Sequence, residues 1–269
     1  MLENIRATAE FLKERIPSNP EVGIILGTGL GGLAAKINVE KELEYSEIPN
    51  FPISTVEGHS GKLIFGKLGG KTVVAMKGRF HYYEGYNMNQ VTFPVRVMKL
   101  LGIKTLFVSN ASGGMNPEFE IGDLMIINDH INLLSNPLIG PNINELGPRF
   151  PDMSKPYDHD LMNKAEVVAK ELGIKVHRGC YVGTTGPTFE TPKEYQYFRI
   201  IGGDAVGMST VPEVIVARHM NIPVFAMSIV TDLGIPGRIV EVSHEEVQEV
   251  GKRAEAKMTQ IMTKLIELL

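Results

Sequence analysis

The sequence predicts an α/β fold: a single domain over residues 1–269, with a mixed, largely parallel twisted sheet flanked by helices. Three observations carry this. Short continuous apolar runs, such as Val22–Leu26 and residues 224–230, have the character of strands buried on both faces. Segments with apolar residues at helical spacing alternate with them, most clearly in the second half. No Pro/Gly/Ser-rich linker divides the 269 residues, an ordinary length for one large domain.

Residues 1–16 read as a helix, because Leu2, Ile5, Leu12 and Ile16 share one face and Pro17 and Pro20 end it. Val22–Leu26 is the first buried strand. After it, residues 33–37 look helical, and a charged stretch runs to Pro49. Lys62–Leu68 and residues 72–76 flank Gly69-Gly70 as a hairpin. Residues 89–101 read as a helix with Gly102 as its C-cap. Strands are expected at 105–108, 124–127, 175–182, 204–206 and 224–230, and helices at 158–172, after Pro192, and at Val211–His219. The last helix starts near Ser243, where Ser243 and Glu246 make a capping box. Residues 136–156 combine Pro and Gly with Leu138, Ile139, Phe150 and Met153, which suggests a long functional loop.

Composition narrows the function classes. Lys+Arg is 27 against Asp+Glu 31, a formal net charge of -4, which argues against an electrostatic nucleic-acid binder. A single cysteine, Cys180, excludes a disulfide framework and a thiolate zinc cluster and fits a reducing, cytoplasmic setting. No apolar run approaches the roughly 20 residues that span a bilayer, and the N-terminus lacks the pattern of a signal peptide.

The glycine run Gly27-Thr28-Gly29-Leu30-Gly31-Gly32 formally satisfies G-x-G-x-x-G. A dinucleotide fold requires a long helix and a second strand next, and the pattern offers neither. A tight turn without a ligand is one alternative. The other is an anion site, in which backbone N–H groups approach closely and Thr28 adds a hydroxyl donor. Residues 78–86 read Gly-Arg-Phe-His-Tyr-Tyr-Glu-Gly-Tyr just after a hairpin strand. There Arg79 offers a planar donor fork suited to phosphate, and His81 a second donor; a structural Arg–aromatic cluster is the plain alternative. His59 sits in Glu57-Gly58-His59-Ser60-Gly61 and could be simply a turn histidine.

Small and polar residues recur where strands end: 109–114 with Ala111, 184–192 with Phe189 and Glu190, 206–213 with Met208 and Ser209, and Thr231-Asp232. Ligands enter α/β sheets at such ends, so the repetition points to one pocket. Thr210 and Glu213 fit a capping box that leaves Ser209 just outside a helix N-terminus. Asp232 could be a plain N-cap. His244 falls in the first turn of the last helix, where a neutral, hydrogen-bonding role suits the dipole better than a charged one. Asp158-His159-Asp160 looks like a metal cluster, but no further ligand is adjacent, and no metal is expected.

Together these segments resemble the trimeric purine nucleoside phosphorylases over almost the whole chain. The matching stretches are GTGLGGL at 27–33, EGHSG at 57–61, GRFHYYEGY at 78–86, NASGGMN at 110–116, RFPDMS at 149–154, TGPTFETPKE at 185–194, GMSTVPE at 207–213 and SHEEV at 243–247. The resemblance implies reversible cleavage of purine (deoxy)ribonucleosides by orthophosphate in purine salvage, in a homotrimer that needs no metal or organic cofactor. It assigns Thr28, His59, Arg79, His81, the backbone at Ala111 and Ser209 to phosphate. Tyr83 and Met208 match ribose-contacting positions, and His244 the partner of the 5′-hydroxyl. Phe189 and Glu190 match base-binding positions. Phe150 matches an aromatic residue inserted from a neighbouring subunit. His81, Glu190 and Asp232 are the expected catalytic residues.

One residue departs from the pattern. Members acting on 6-oxopurines usually carry Asn where this chain has Asp232. An amide donates to N7 and O6, whereas a carboxylate donates only when protonated. Asp here is similar to the related methylthioadenosine phosphorylases, which take a 6-aminopurine. That family is the near alternative, although a polar His244 suits a 5′-hydroxyl better than a thioether. A nicotinamide-dependent dehydrogenase and a non-catalytic nucleoside-binding module are the more distant ones.

Overall fold

The computed structural model describes residues 1–27, 31–53, 55 and 61–269. Helix α1 (Leu2–Lys13) buries Ile5, Ala9 and Leu12 and stops three residues short of the predicted end. Strand β1 (Val22–Leu26) is buried at every position because it runs parallel between two others, β4 (Lys71–Lys77) and β5 (Thr105–Gly114). β3 (Lys62–Leu68) and β4 form the expected hairpin around Gly69-Gly70. The charged stretch before Pro49 is a strand rather than a connection: β2 (Asn38–Glu44) pairs antiparallel with β3. Its exposure is nearly complete, so it has neither the apolar run nor the clean alternation that betrays a strand. The helical-looking stretch at 33–37 is only a 3-10 turn, Ala34–Lys36.

The predicted helix at 89–101 divides into α2 (Met88–Val91) and α3 (Phe93–Leu101). Pro94 causes the break, since it has no N–H to give to the carbonyl four residues back. Gly102, at φ 111°, closes α3 as foreseen. β5 continues six residues beyond its expected end. Residues 109–114 are therefore strand, held by parallel pairing with β9 (Val224–Leu233), not a loop past a strand end. The remaining elements are β6 (Leu124–Asn132), α4 (His159–Glu171), β7 (Val176–Gly183), α5 (Pro192–Ile200), β8 (Ala205–Gly207), α6 (Val211–His219) and α7 (His244–Glu267). Asp158 caps α4 by accepting from the Leu161 N–H at 3.0 Å, a structural role for the acid in the Asp-His-Asp cluster. Ser243 and Glu246 form the predicted capping box at α7.

The sheet order is β2-β3-β4-β1-β5-β8-β7-β6-β9, and β9 returns to pair with β5. Strands β5, β8, β7, β6 and β9 thus close into a ring, to which β1, β4, β3 and β2 are attached as an open extension. Among the described residues, five of the nine pairings are parallel and four antiparallel, so the sheet is mixed with a small parallel majority. Ring closure requires β5 to leave β1 after Val108 and pair with β8 at Gly113 and Gly114, and its register against β9 shifts at that point. α1, α3 and α6 pack as one helical layer, and α4 with α7 as another. Among the described residues, no helix is long and apolar enough to cross a membrane.

Candidate active site

A cavity of about 480 Å³ opens where β4, β5, β8 and β9 end, walled further by the segment after β7 and by the start of α7. Arg79, His81, Tyr83, Ala111, Phe189, Glu190, Met208, Ser209, Asp232 and His244 all line it. These residues come from six separate stretches of chain. Thr28 and His59 lie outside the described residues.

Arg79 anchors one end. It follows β4, is 1% exposed, and its guanidinium is held on two sides. Nε and Nη2 donate to the two carboxylate oxygens of Glu213 at 3.1 and 2.9 Å. Nη1 donates to the Ser109 carbonyl at 2.7 Å and the Ser209 hydroxyl at 3.2 Å. A buried cation persists only when paired and hydrogen-bonded, and the bidentate fork meets that condition. Glu213 is therefore a partner of Arg79 and not the far half of a capping box. The expected box at Thr210 does not form: Thr210 has φ 69°, makes no side-chain cap, and takes a hydrogen bond from Asn110 Nδ2 at 2.8 Å. That left-handed backbone aims Ser209 at Arg79 instead of at the helix. A sidedness argument could have found Glu213, since a carboxylate 3% exposed among the apolar residues that open this helix demands a cation.

His81 stacks on Tyr83 with ring centroids 4.7 Å apart. Its Nδ1 lies 3.0 Å from Glu84 Oε1, which also accepts the His81 backbone N–H at 2.7 Å. Burial of Glu84 works against its charge. Hydrogen bonds from His81 and Thr55 outweigh it and hold the carboxyl down at about 2. Burial also lowers the imidazole. The consistent state is a neutral ring that donates from Nδ1 to an ionised Glu84 and leaves Nε2 as an acceptor. The sequence suggested a donor, and a charged one on protonation; the surroundings favour the opposite.

The other end is acidic. Asp232 lies in β9, not at a helix cap, and is 6% exposed. Its Oδ2 accepts from the Tyr195 hydroxyl at 3.0 Å and its Oδ1 from Thr231 Oγ1 at 3.0 Å. Burial raises Asp232 and raises Glu190 to about 7, with the charge of Asp232 adding to the latter. Tyr195 escaped the sequence reading because an aromatic residue inside α5 looks like core. Thr191 and Glu194 cap that helix reciprocally and turn its first buried residue toward β9.

His244, the first residue of α7, has Gln248 Nε2 at 2.9 Å from its Nε2. The amide can only donate, so the ring accepts there. Phe150 is elsewhere: 88% exposed, it borders a second cavity of about 430 Å³ with Ile139 and Met153. Among the described residues, no group of three His, Cys, Asp or Glu side chains could hold a metal ion.

Comparison with known proteins agrees with this architecture. The model of the Phosphorylase superfamily matches residues 21–267. Purine nucleoside phosphorylase 1 of Geobacillus stearothermophilus is 52% identical over 97% of this chain and 96% of its own. Purine nucleoside phosphorylase of Rattus norvegicus is 50% identical over 98% of this chain and 94% of its own. The crystal structure of Schistosoma mansoni purine nucleoside phosphorylase in complex with adenosine superposes with a TM-score of 0.94 at 46% identity, covering 99% of this chain and 97% of that one. The chain belongs to the phosphorylase superfamily and, within it, to the purine nucleoside phosphorylases.

Proposed function

We propose that the chain catalyses the reversible phosphorolysis of purine nucleosides, ribo and deoxyribo, to the free purine and the pentose 1-phosphate. One observation carries the reading: a single cavity has a guanidinium, a hydroxyl and an imidazole at one end and two carboxyls, one buried and one half-buried, at the other. A phosphate fits the first set and a purine edge the second, with the sugar between them against Tyr83 and Met208. His244 takes the 5′-hydroxyl.

The chemistry follows from the residue types. Arg79, Ser209 and the backbone at Ala111, joined by Thr28 and His59, hold orthophosphate beneath the anomeric carbon. His81 Nε2 accepts from a protonated phosphate oxygen, which keeps the nucleophile dianionic. The glycosidic bond lengthens, the sugar becomes oxocarbenium-like, and phosphate stabilises that charge as it closes in. Electrons from the breaking bond go to the purine, which Glu190 and Asp232 hold by its edge. Positioning and electrostatics suffice, with no covalent enzyme intermediate. Orthophosphate is a co-substrate, and the scheme needs no metal or organic cofactor.

The working unit is a homotrimer in which Phe150 reaches the neighbour's cavity, in a cytoplasmic setting. Phe150 and Ile139, 88% and 76% exposed, favour a second copy covering this face. Asp232 favours 6-aminopurines more than Asn would, so adenosine is turned over alongside inosine. A methylthioadenosine phosphorylase is the second reading, supported by Asp232 and opposed by the polar His244.

Purified protein with inosine, with and without phosphate, tests the central claim by release of hypoxanthine. Base released only with phosphate supports it; none with phosphate rejects it. Adenosine and methylthioadenosine in parallel read the substrate preference, and Asp232→Asn should abolish most adenosine turnover while sparing inosine.

A further inference from the structure

The base end of the cavity contains a third group that does not line it. Tyr195 stands behind Asp232 and gives its hydroxyl hydrogen to Oδ2 at 3.0 Å. Glu190 lines the same cavity as Asp232. The ring is fixed from both sides. A Cβ on Gly234 would run into its carbons, and one on Gly113 would stand 3.2 Å from the hydroxyl and 2.9 Å from Asp232 Oδ2. Two glycines thus leave room for one phenol against one carboxyl.

The groups facing Asp232 can be named. Glu190 and Tyr195 approach from the segment that leads into α5 and from α5 itself. Thr231 comes from β9, and β5 contributes Ser112 and Gly113, which do not titrate. Arg79, His81, Glu84 and His244 line the same cavity, but Arg79 is committed to Glu213, and His81 to Glu84. A buried acid and a half-buried one therefore meet in one cavity, a phenol donates to the first, and among the described residues no cation is bonded to either. Like charges in such a place disfavour double ionisation, and burial disfavours it further.

We propose that Tyr195 is a positioning residue that couples Glu190 and Asp232 by setting, through its hydrogen bond to Asp232, where their one proton rests, and that the proton's place selects between 6-aminopurines and 6-oxopurines. This rests on the assignment of both carboxyls to the purine edge. A 6-aminopurine has an acceptor at N1 and a donor at C6, so it matches protonated Glu190 and ionised Asp232. A 6-oxopurine has a donor at N1 and an acceptor at C6, so it matches ionised Glu190 and protonated Asp232. Each match needs one proton in the pair. The exchange balances: one acid takes a proton from solvent as the other releases one, so the pair keeps a single proton. Both acids are pushed upward, as a pair sharing one proton requires.

The test needs no variant at first. For the wild-type enzyme, kcat/KM for inosine and for adenosine is measured from pH 5.5 to 8.5 at fixed saturating phosphate. A single-proton pair gives both substrates the same bell, so their ratio stays flat; a ratio that slopes about tenfold per pH unit overturns the inference. Tyr195→Phe then removes the donor to Asp232 and leaves the proton there. The adenosine-to-inosine ratio should fall at least about tenfold, with an unaltered melting temperature as a check on folding. An unchanged ratio overturns the coupling. Should wild type release no adenine at all, the expectation of 6-amino turnover fails, and the inference is read on inosine alone. In that case Asp232→Asn must remove the alkaline limb of the inosine profile and Tyr195→Phe must move it upward; limbs identical to wild type overturn it.

Discussion

The two ends of the cavity solve opposite electrostatic problems. At the phosphate end a buried cation is already paired before any ligand arrives: Glu213 takes two of its N–H groups, and Ser109 and Ser209 accept from Nη1. At the purine end two carboxyls, Asp232 buried and Glu190 half-buried, take hydrogen bonds from hydroxyls and, among the described residues, from no cation. The first arrangement fixes geometry and charge together. The second fixes geometry and leaves charge adjustable. Phosphate is always an anion at working pH, whereas the purine edge varies in which atoms donate, so rigidity suits one end and a movable proton the other.

Removing the rigid end should do most damage. Arg79→Ala is expected to lower kcat/KM for phosphate about a thousandfold while changing the nucleoside KM far less. Steady-state kinetics with each substrate varied separately reads this, and equal effects on both would erase the contrast between the ends. Glu213→Gln keeps the shape but strips the counter-charge from Arg79. The loss in unfolding free energy should be about 3 kcal/mol, since an uncompensated buried charge remains. Phosphate should restore more stability to this variant than to wild type, because it supplies the missing anion. Denaturant melts with and without phosphate provide the measurement.

The smallest effect belongs to the adjustable end. Glu190 is raised to about 7 by burial, so the fold holds its proton where the unfolded chain has released it. Stability from this group is whole below the unfolded value near 4.3 and declines as pH rises to about 7. Glu190→Gln should therefore match wild type at pH 4 and exceed it by order of 2 kcal/mol at pH 8. A difference independent of pH would show that the two ends are electrostatically alike.

How much of this was legible depended on whether a residue's reason was local. The capping box at Ser243 and Glu246 is written in four consecutive residues and formed as read. The same logic failed at Thr210 and Glu213, where an arginine 134 positions away claimed the carboxylate. β2 was missed because its partner covers almost none of its side chains. Closure of the ring by β5 and β9 left no trace, since a strand buried between neighbours shows the same apolar run whichever neighbours they are. Arg79, His81, Ser209, Glu190, Asp232 and His244 were legible as a group because motif resemblance carries spatial information that periodicity lacks. Tyr195 lies inside one of those motif-bearing segments' helices but acts only through Asp232, and nothing in its own neighbourhood announces that.

The ring has a further effect at the far margin of the sheet. Once β9 has returned to β5, one strand among the described residues is left with its outer backbone groups open to pairing by a foreign chain, and that strand is β2, Asn-Val-Glu-Lys-Glu-Leu-Glu. Three glutamates and a lysine along it make intruding strands unwelcome, as charged borders do generally. The feature that made β2 invisible to a search for buried strands is thus what guards the protein against stacking with its own copies.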